Sequence, residues 1–596
     1  MPAFPAQQHT LPNGFTLFLS PNPAEPRVYT EIAVRAGSKH DPDRSTGLAH
    51  YLEHMLFKGT AKLGTSDWAA EEPLLHQIAE TYEAHRNTTD PAERRRLYQR
   101  IDKLSQEAAA YALPGEYDRL MAQMGARGTN AYTWVDQTIF LNDIPAGELG
   151  RWMQLEAERF SRLVLRLFHT ELETVFEEFN ISQDKDVRKV MRVANEALFA
   201  PHPYGTHTVL GEGEHLKAPS HFDIYEFFRT HYVPGNMALI LAGDFDPAQA
   251  LELARTTFGT LPAKPVPTYV PVKLPTPEQP SEQPSEQSPE QPSEQHARTA
   301  PAAGLPPAAG LPPAAGLSPA AGPSPLTVLG QEAPAAYLHF RIPGATTREA
   351  LVAQVAVGML SNRQAGLFDQ QLISAQQVLS ASAGITPMAD YASIRASVKP
   401  RPGQSLEEAA ELVLTQVERL AKGDYPEWLR EAVVVDHELT MIRSAESNKG
   451  RASILTMGYI HRLPLDEVLG RLEALRSVTD AEIQAFAKIY LTRAQCVAVF
   501  KQQGEDPSVM KVEKPEITPI PLHTQAVSGF AERLLAIEPA QTEARFADFD
   551  AEITQLPVAN GVDLHHLPNP ENGLFELLYV FNFGTRSDRW IGLATK

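Results

Sequence analysis

Two histidines and a glutamate lie within five residues of each other in the segment HYLEH at 50–54. On a helix, residues four apart share one face, so His50 and His54 can point at the same spot. Two imidazoles in this arrangement suit zinc. Glu53 borders that face without occupying it, where it can take a proton from a metal-bound water. The ordinary context of such residues is a polar helix face, so the motif by itself indicates a hydrolytic metal site without establishing one.

A catalytic zinc usually has three protein ligands, so a third must come from elsewhere. The segment ELETVFEEFN at 171–180 offers four acids in a helical pattern: Glu171, Glu173, Glu177 and Glu178. Its buried stripe is predicted to be Leu172, Val175, Phe176 and Phe179. Glu171 and Glu178 lie two turns apart beside that stripe. The spacing alone does not choose between Glu177 and Glu178.

The elements around these segments alternate between strand and helix patterns. Four strands are predicted in FTLFLS, VYTEIAVRAG, QTIFLNDI and NMALILAGDF, with helices between them. Residues 62–125 are predicted to be a helical insertion, in which Asp90 and Pro91 begin a helix as cap and first residue. The first 265 residues are therefore expected to form one α+β domain.

A second domain is expected after a low-complexity linker. The repeats of Pro, Gln, Ser and Ala between 276 and 325 cannot build a core and indicate disorder. Beyond them, strand and helix patterns recur in AAYLHFRIP, REALVAQVAVGML and QCVAVFK. The predicted division is a first domain at 1–265, a linker at 266–326, a second domain at 327–505, a connector at 506–557 and a last segment at 558–596.

The last segment resembles the start of the first domain. Residues 11–41 and 558–588 share an Asn-Gly turn, a strand, Pro-Asn-Pro and a second strand. We therefore expect 558–596 to be the truncated start of a third copy. Beyond that stretch, STGLAH at 45–50 lies against WIGLAT at 590–595, so Thr595 takes the place of His50.

Composition excludes several classes of protein. The net charge of −20 argues against nucleic acid and anionic membrane as partners, and no apolar run approaches 18 residues. The single cysteine, Cys496, excludes an intrachain disulfide and is expected to pack as a small hydrophobe. No signal peptide begins the sequence, so a cytoplasmic protein is expected, or a periplasmic one if a signal was removed.

Together, GLAHYLEHMLFKGT, NAYTWVDQTIFL, ELETVFEEFN and HYVPGNMALILAGDF resemble the pitrilysin and insulin-degrading-enzyme family of zinc peptidases, the inverzincins. The resemblance covers residues 8–265, where the motifs follow the same order as in the family. In residues 327–500 it is limited to the succession of strand and helix patterns. It implies tandem related α/β-sandwich domains, an endopeptidase activity on unfolded peptides or protein segments, and one zinc ion per chain. The insertion at 62–125 departs from the better-known members.

The resemblance also implies residue roles. His50, His54 and Glu178 would be zinc ligands, Glu53 the general base, and Glu171 an acid that orients a ligand. An edge strand containing Asn130, Ala131 and Tyr132 would bind substrate by β-strand addition.

Family members also place an Arg and a Tyr, seven residues apart, in a C-terminal-half domain. Here Ile373 and Ser380 stand at the aligned positions of the second domain. The alternatives to a self-sufficient peptidase are a catalytic half that needs a second chain and a non-catalytic assembly subunit. A homo-oligomer is also compatible with the sequence.

Overall fold

The structure is a computed structural model that describes residues 4–276, 324–507, 509, 511–512, 518–520, 526–542, 546 and 548–581. The chain divides into two compact units, Met1–Gln541 and Thr542–Lys596. The first unit contains both predicted α+β domains.

The sheet of the first domain has six strands in the order β1-β2-β6-β3-β5-β4. Their bounds are β1 Gln7–Thr10, β2 Thr16–Pro21, β3 Arg27–Val34, β4 Arg127–Thr133, β5 Thr138–Pro145 and β6 Met237–Gly243. β6 lies between β2 and β3, and all seven of its residues are buried. Such a continuous apolar strand indicates that both faces of the sheet are covered. β4 lies at the edge and pairs only with β5 among the described strands.

Helices of the first domain pack mainly on one face of this sheet. They are α1 Leu48–Met55, α2 Trp68–Asn87, α3 Pro91–Ala109, α4 Glu116–Gln123, α5 Leu149–Ser161, α6 Phe168–Gln183, α7 Asp186–Phe199, α8 Pro203–Thr206, α9 Gly213–Leu216, α10 His221–His231 and α11 Pro247–Thr256. The predicted insertion comprises α2, α3 and α4. α3 begins as expected, because the Asp90 side chain accepts a hydrogen bond from Ala92 N and Pro91 needs no partner at that position.

The sheet of the second domain has five strands in the order β7-β11-β8-β10-β9. Their bounds are β7 Leu326–Gly330, β8 Ala335–Pro343, β9 Ser380–Pro387, β10 Tyr391–Lys399 and β11 Val497–Gln503. Its helices, with two that follow, are α12 Arg348–Leu360, α13 Leu406–Lys422, α14 Leu429–Glu446, α15 Asn448–Ile460, α16 Leu465–Leu469, α17 Arg471–Arg476, α18 Asp480–Tyr490, α19 Gly529–Leu535 and α20 Phe549–Glu552. The buried Cys496 packs in this core, as expected.

Each domain contributes one helix that packs on the sheet of the other. α15 of the second domain covers the outer face of the first sheet, where Leu455 and Tyr459 pack against residues that include Ala33 and Ile240. α7 of the first domain covers the second sheet, where Val190 packs with Val499. This reciprocal packing joins the two domains and fits their predicted relationship.

The start of the predicted linker contacts the second domain. Residues 266–276 lack regular secondary structure but contact the second domain, since Leu274 is buried and its N–H donates to the Tyr391 hydroxyl. One buried leucine and one hydrogen bond therefore anchor the end of this stretch to the second domain. Residues 277–323, the remaining core of the predicted linker, lie outside the described residues.

The second unit contains a hairpin of β12 Thr554–Ala559 and β13 Val562–His566. Thr554 pairs with His566 and Leu556 with Leu564. In the predicted alignment these pairs correspond to Gln7 with Leu19 and His9 with Leu17, so the register matches that of β1 and β2. The segment aligned with β3, residues 574–581, is described without regular secondary structure, and residues 582–596, including Thr595, lie outside the described part.

No helix in the described ranges combines the length and apolar character needed to cross a membrane.

Candidate metal centre

α1 carries both histidines, and its start is fixed by a buried acid. Gly47 adopts a left-handed conformation with φ of 84° before the helix begins, and a Cβ there would collide with the Leu210 carbonyl. Asp41 accepts hydrogen bonds from the N–H groups of Gly47 and Ala49 at 2.7 and 2.9 Å. These bonds satisfy donors that a helix start leaves free. The entry into α1 is therefore fixed by short-range contacts.

Three side chains converge in front of α1. His50 Nε2 lies 3.3 Å from His54 Nε2 and 3.3 Å from Glu178 Oε2, and His54 Nε2 lies 3.6 Å from the same carboxylate oxygen. Ligands about 2.0–2.1 Å from a tetrahedral zinc stand about 3.3–3.4 Å apart. The separations and the two-imidazole, one-carboxylate donor set therefore fit zinc. Among the described residues, these three form the only group with a metal-ligand arrangement.

The electrostatics of this group also favour a cation. Hydrogen bonding to His50 and His54 holds the pKa of Glu178 well below its usual range. Burial lowers the pKa of His54, but its bonds to Glu171 and Glu178 outweigh burial and raise it to about 9. The carboxylate is thus stabilised as an anion facing two imidazoles, so positive charge between them is favourable.

Glu171 lies behind His54, as the predicted orienting role requires. Its Oε1 is 2.9 Å from His54 Nδ1, and Lys58 pairs with its other oxygen. Burial raises the pKa of Glu171, but His54 and Lys58 together lower it below the usual value. An ionised Glu171 accepts the Nδ1 proton of His54, so a metal ion that binds at Nε2 would displace only the proton on that nitrogen. In the described part of the chain, the buried Nδ1 of His50 has no such partner.

Glu53 lies beside the ligands but outside their group. Its side chain is buried, and burial raises its pKa. Thr133 Oγ1 donates a hydrogen bond to Glu53 Oε2 at 2.5 Å. One carboxylate oxygen is therefore fixed by the end of β4, and the other remains to exchange a proton.

β4 brings the predicted substrate residues to the site. Asn130, Ala131 and Tyr132 all line a cavity of about 540 Å³ that also contains Glu53 and the three converging side chains. Because side chains alternate along a strand, Ala131 packs against the helical core, whereas Tyr132 lies opposite Ile139 on the other face. The unpaired backbone edge is therefore the feature common to all three residues.

The residues aligned with the family's Arg and Tyr lie elsewhere. Ile373 is in a π-helical turn, Asp369–Ser374, and Ser380 begins β9. Neither lines the cavity, whose described lining comes from residues 50–210 of the first domain.

Two contacts of this site were absent from the sequence interpretation. Thr133 follows Tyr132 on the strand, so strand alternation turns it toward α1, and Lys58 follows His54 by four residues, just beyond the end of that helix. Both residues stood at spacings that allow these contacts. Predicting the Thr133 contact also required knowing which face of β4 packs against α1.

Comparisons with known proteins match two parts of the chain to peptidase family models. The family model described as Insulinase (Peptidase family M16) matches residues 17–73, and the model described as Peptidase M16 inactive domain matches 220–434. The mitochondrial-processing peptidase subunit beta of Blastocladiella emersonii is 27% identical over 252 residues, 42% of this chain and 44% of its own length. The ubiquinol-cytochrome-c reductase complex core protein I of Euglena gracilis is 26% identical over 272 residues, which are 44% of this chain and 43% of its own length. The chain thus spans less than half the length of these relatives.

Solved structures share the fold. A protease from Helicobacter pylori has a TM-score of 0.63 and 17% identity, covering 84% of this chain and 100% of its own. The periplasmic protease PqqL from Escherichia coli has a TM-score of 0.57 and 16% identity, with coverage of 94% and 54%. Pitrilysin has a TM-score of 0.56 and 15% identity, with coverage of 84% and 45%. The two family models, over residues 17–73 and 220–434, support membership of the pitrilysin, or insulinase (M16), peptidase family, and the solved structures share its fold.

Proposed function

We propose that the chain is a zinc-dependent endopeptidase that hydrolyses peptides or unfolded protein segments. The observation that carries the proposal is the convergence of His50, His54 and Glu178, whose ligand atoms lie within 4.8 Å of one another. A buried glutamate and an open strand edge adjoin that group in one cavity.

The residues divide the chemistry between them. Zinc, when bound by His50, His54 and Glu178, supplies a Lewis acid that polarises the scissile carbonyl and acidifies water. Glu53 takes the proton of the attacking water and returns it to the leaving amine. Because Thr133 holds Oε2, the proton moves through Oε1. Glu171 keeps His54 in the tautomer that can bind a metal.

The edge of β4 accounts for binding of an extended peptide. An added strand gains main-chain hydrogen bonds along residues 129–133, which line the cavity beside Glu53. Such bonds depend little on side-chain identity, so they suit unfolded segments of varied sequence.

The test is Glu53→Gln, compared with the wild-type chain after both are loaded with zinc. We expect both proteins to hold zinc and the variant to cleave unstructured peptides at least about a hundred-fold more slowly, because general-base catalysis is worth that much. Cleavage is followed by mass spectrometry. A zinc-loaded wild type that cleaves no peptide, or a variant with near-normal turnover, contradicts the proposal.

A second candidate is a catalytic half that needs a further polypeptide. It is favoured by Ile373 and Ser380, which provide neither the guanidinium nor the phenol of the family pair and lie away from the cavity lining. Donors aimed at a developing oxyanion are typically worth about a hundred- to a thousand-fold in rate. Adding a polypeptide that carries such a pair should then raise turnover by that factor. Full family-like turnover by the 596-residue chain alone contradicts this candidate.

A non-catalytic assembly subunit is the remaining alternative, and the similarity to core protein I and to the inactive-domain model bears on it. The presence of His50, Glu53, His54 and Glu178 together favours an enzyme.

A further inference from the structure

The cavity has a basic end at the junction of two helices. α6 carries Glu178 into the metal centre and ends at Gln183, Lys185 precedes α7, and Arg188 lies in the first turn of α7. Both cationic side chains are exposed and line the cavity. Within the described part of the chain, neither side chain makes a hydrogen bond or ion pair.

The acids that flank these cations in sequence are already engaged. Asp184 pairs with Lys511 at 2.9 Å, and buried Asp186 pairs with Lys501 at 3.2 Å. On the metal side of the cavity, Lys58 is paired with Glu171. The charges of Lys185 and Arg188 are therefore left available to a molecule in the cavity.

The position of this basic end defines where on a substrate it acts. Lys185 follows Glu178 by seven residues, which corresponds to about 10 Å at a helical rise of about 1.5 Å per residue. An extended peptide along β4 advances about 3.3 Å per residue. A separation of about 10 Å between Glu178 and Lys185 therefore corresponds to about three substrate residues.

We infer that Lys185 and Arg188 bind a substrate carboxylate about three residues from the scissile bond. The inference rests on the proposed peptidase function and adds the substrate class, peptides with an acidic side chain or their own C-terminal carboxylate at that position. Arg and Lys form charge-assisted hydrogen bonds with carboxylates. Because the whole chain carries a net charge of −20, it repels acidic peptides elsewhere, and these local cations oppose that repulsion.

The experiment uses a neutral parent peptide that carries one Glu in turn at each of four positions on either side of the cleaved bond. A matched series carries Gln, and a short peptide ending near the third position is made as a free acid and as an amide. Cleavage is measured with the zinc-loaded wild type. Binding is measured by fluorescence anisotropy with zinc-loaded Glu53→Gln.

We expect Glu to exceed Gln by about five- to thirty-fold in kcat/KM and in affinity at a position about three residues from the bond, as two exposed charge contacts allow. Salt at 0.5 M should reduce the preference. The double variant Lys185→Glu/Arg188→Glu should lose it. The control Lys103→Glu/Lys422→Glu, at cations that are 79% and 71% exposed and outside the cavity lining, makes the same charge change and should retain it.

The two sources of the carboxylate are distinguished by the short peptide. A preference confined to its free acid identifies the terminal carboxylate, whereas a preference for internal Glu identifies a side chain. Equal binding and cleavage of Glu and Gln peptides at every position overturns the inference, as does a preference that survives the double charge reversal. If neutral peptides are cleaved without any preference, the proposed function stands and the inference falls. If no peptide is cleaved, the proposed function falls, and the binding measurement still decides the inference.

Discussion

At the scale of single residues, the proposed chemistry of the site depends on how one threonine places Glu53, the proposed general base. Thr133 is buried and bonds to Glu53 Oε2, while the neighbouring Ala131 faces the same side of β4. The hydroxyl fixes which carboxylate oxygen is free to exchange a proton. Thr133 thus acts through Glu53 and is a positioning residue.

Thr133→Val keeps the shape of the side chain and removes this bond. Hydrogen bonds to charged groups are worth about 1.5–3 kcal/mol, so kcat should fall about ten- to a hundred-fold while KM and zinc content change little. Thr133→Ser should restore most of the rate because it restores the hydroxyl. Steady-state kinetics and elemental analysis of the purified variants check this. Wild-type kcat in the valine variant, or a serine variant as slow as valine, contradicts the role.

Much of the site could be predicted at this scale, because the helix period alone places His50 and His54 on one face. The choice between Glu177 and Glu178 could not be made from spacing, since both acids border the same buried stripe. It depends on how α6 is rotated against α1, which Phe176 and Phe179 fix by packing in the core. The Thr133 contact likewise depends on the register of β4 with β5, a tertiary property.

At the scale of elements, the helical insertion supports the helix that carries the acids. The Tyr82 hydroxyl of α2 lies 2.7 Å from His169 Nδ1 of α6, and Tyr82 also stacks on His221 of α10 at 4.6 Å. The sequence predicted the insertion from charge pattern and the Asp90-Pro91 start. It did not predict this aromatic cluster, because the contacts join residues distant in the chain.

The buried His221 makes this cluster sensitive to acid. Burial lowers its pKa to about 3, whereas the pKa of a histidine in an unfolded chain is about 6.5. As pH falls from about 6.5 toward 3, the unfolded state takes up a proton that the folded state refuses, so the stability of the domain falls.

His221→Phe keeps the stacking on Tyr82 and removes the titrating group. The decrease in unfolding temperature between pH 7.5 and pH 5 should therefore be smaller in the variant than in the wild type. Thermal unfolding followed by circular dichroism at both pH values measures the difference. An unchanged decrease shows that His221 does not contribute to acid sensitivity.

At the scale of the whole molecule, the two domains of the first unit are joined by exchanged helices and by a buried ion pair. Lys501 on β11 contacts Asp186 at the start of α7, with side chains 1% and 2% exposed. The presence of two α+β domains could be predicted from strand and helix patterns that recur in the sequence. The exchange of α7 and α15 was not visible, because amphipathic patterns do not identify the sheet that a helix covers.

Lys501→Met leaves the Asp186 charge buried without its cation. Removing one partner of a buried pair typically costs about 3–5 kcal/mol, so the urea midpoint should fall clearly. Lys511→Met is the matched control, since its pair with Asp184 is 55% and 52% exposed, and exposed pairs are worth about 0–1 kcal/mol. Equal effects of the two substitutions would show that the interdomain ion pair has no special weight.

The central claim, a zinc site built from His50, His54 and Glu178, is tested most directly by metal content. Elemental analysis of the gently purified chain, before and after zinc addition and dialysis, should find about one zinc per chain. Glu178→Gln should contain almost none, whereas the control Glu177→Gln should bind zinc like the wild type. A wild-type chain that stays metal-free after zinc addition, or loss of zinc in Glu177→Gln with retention in Glu178→Gln, would contradict the account.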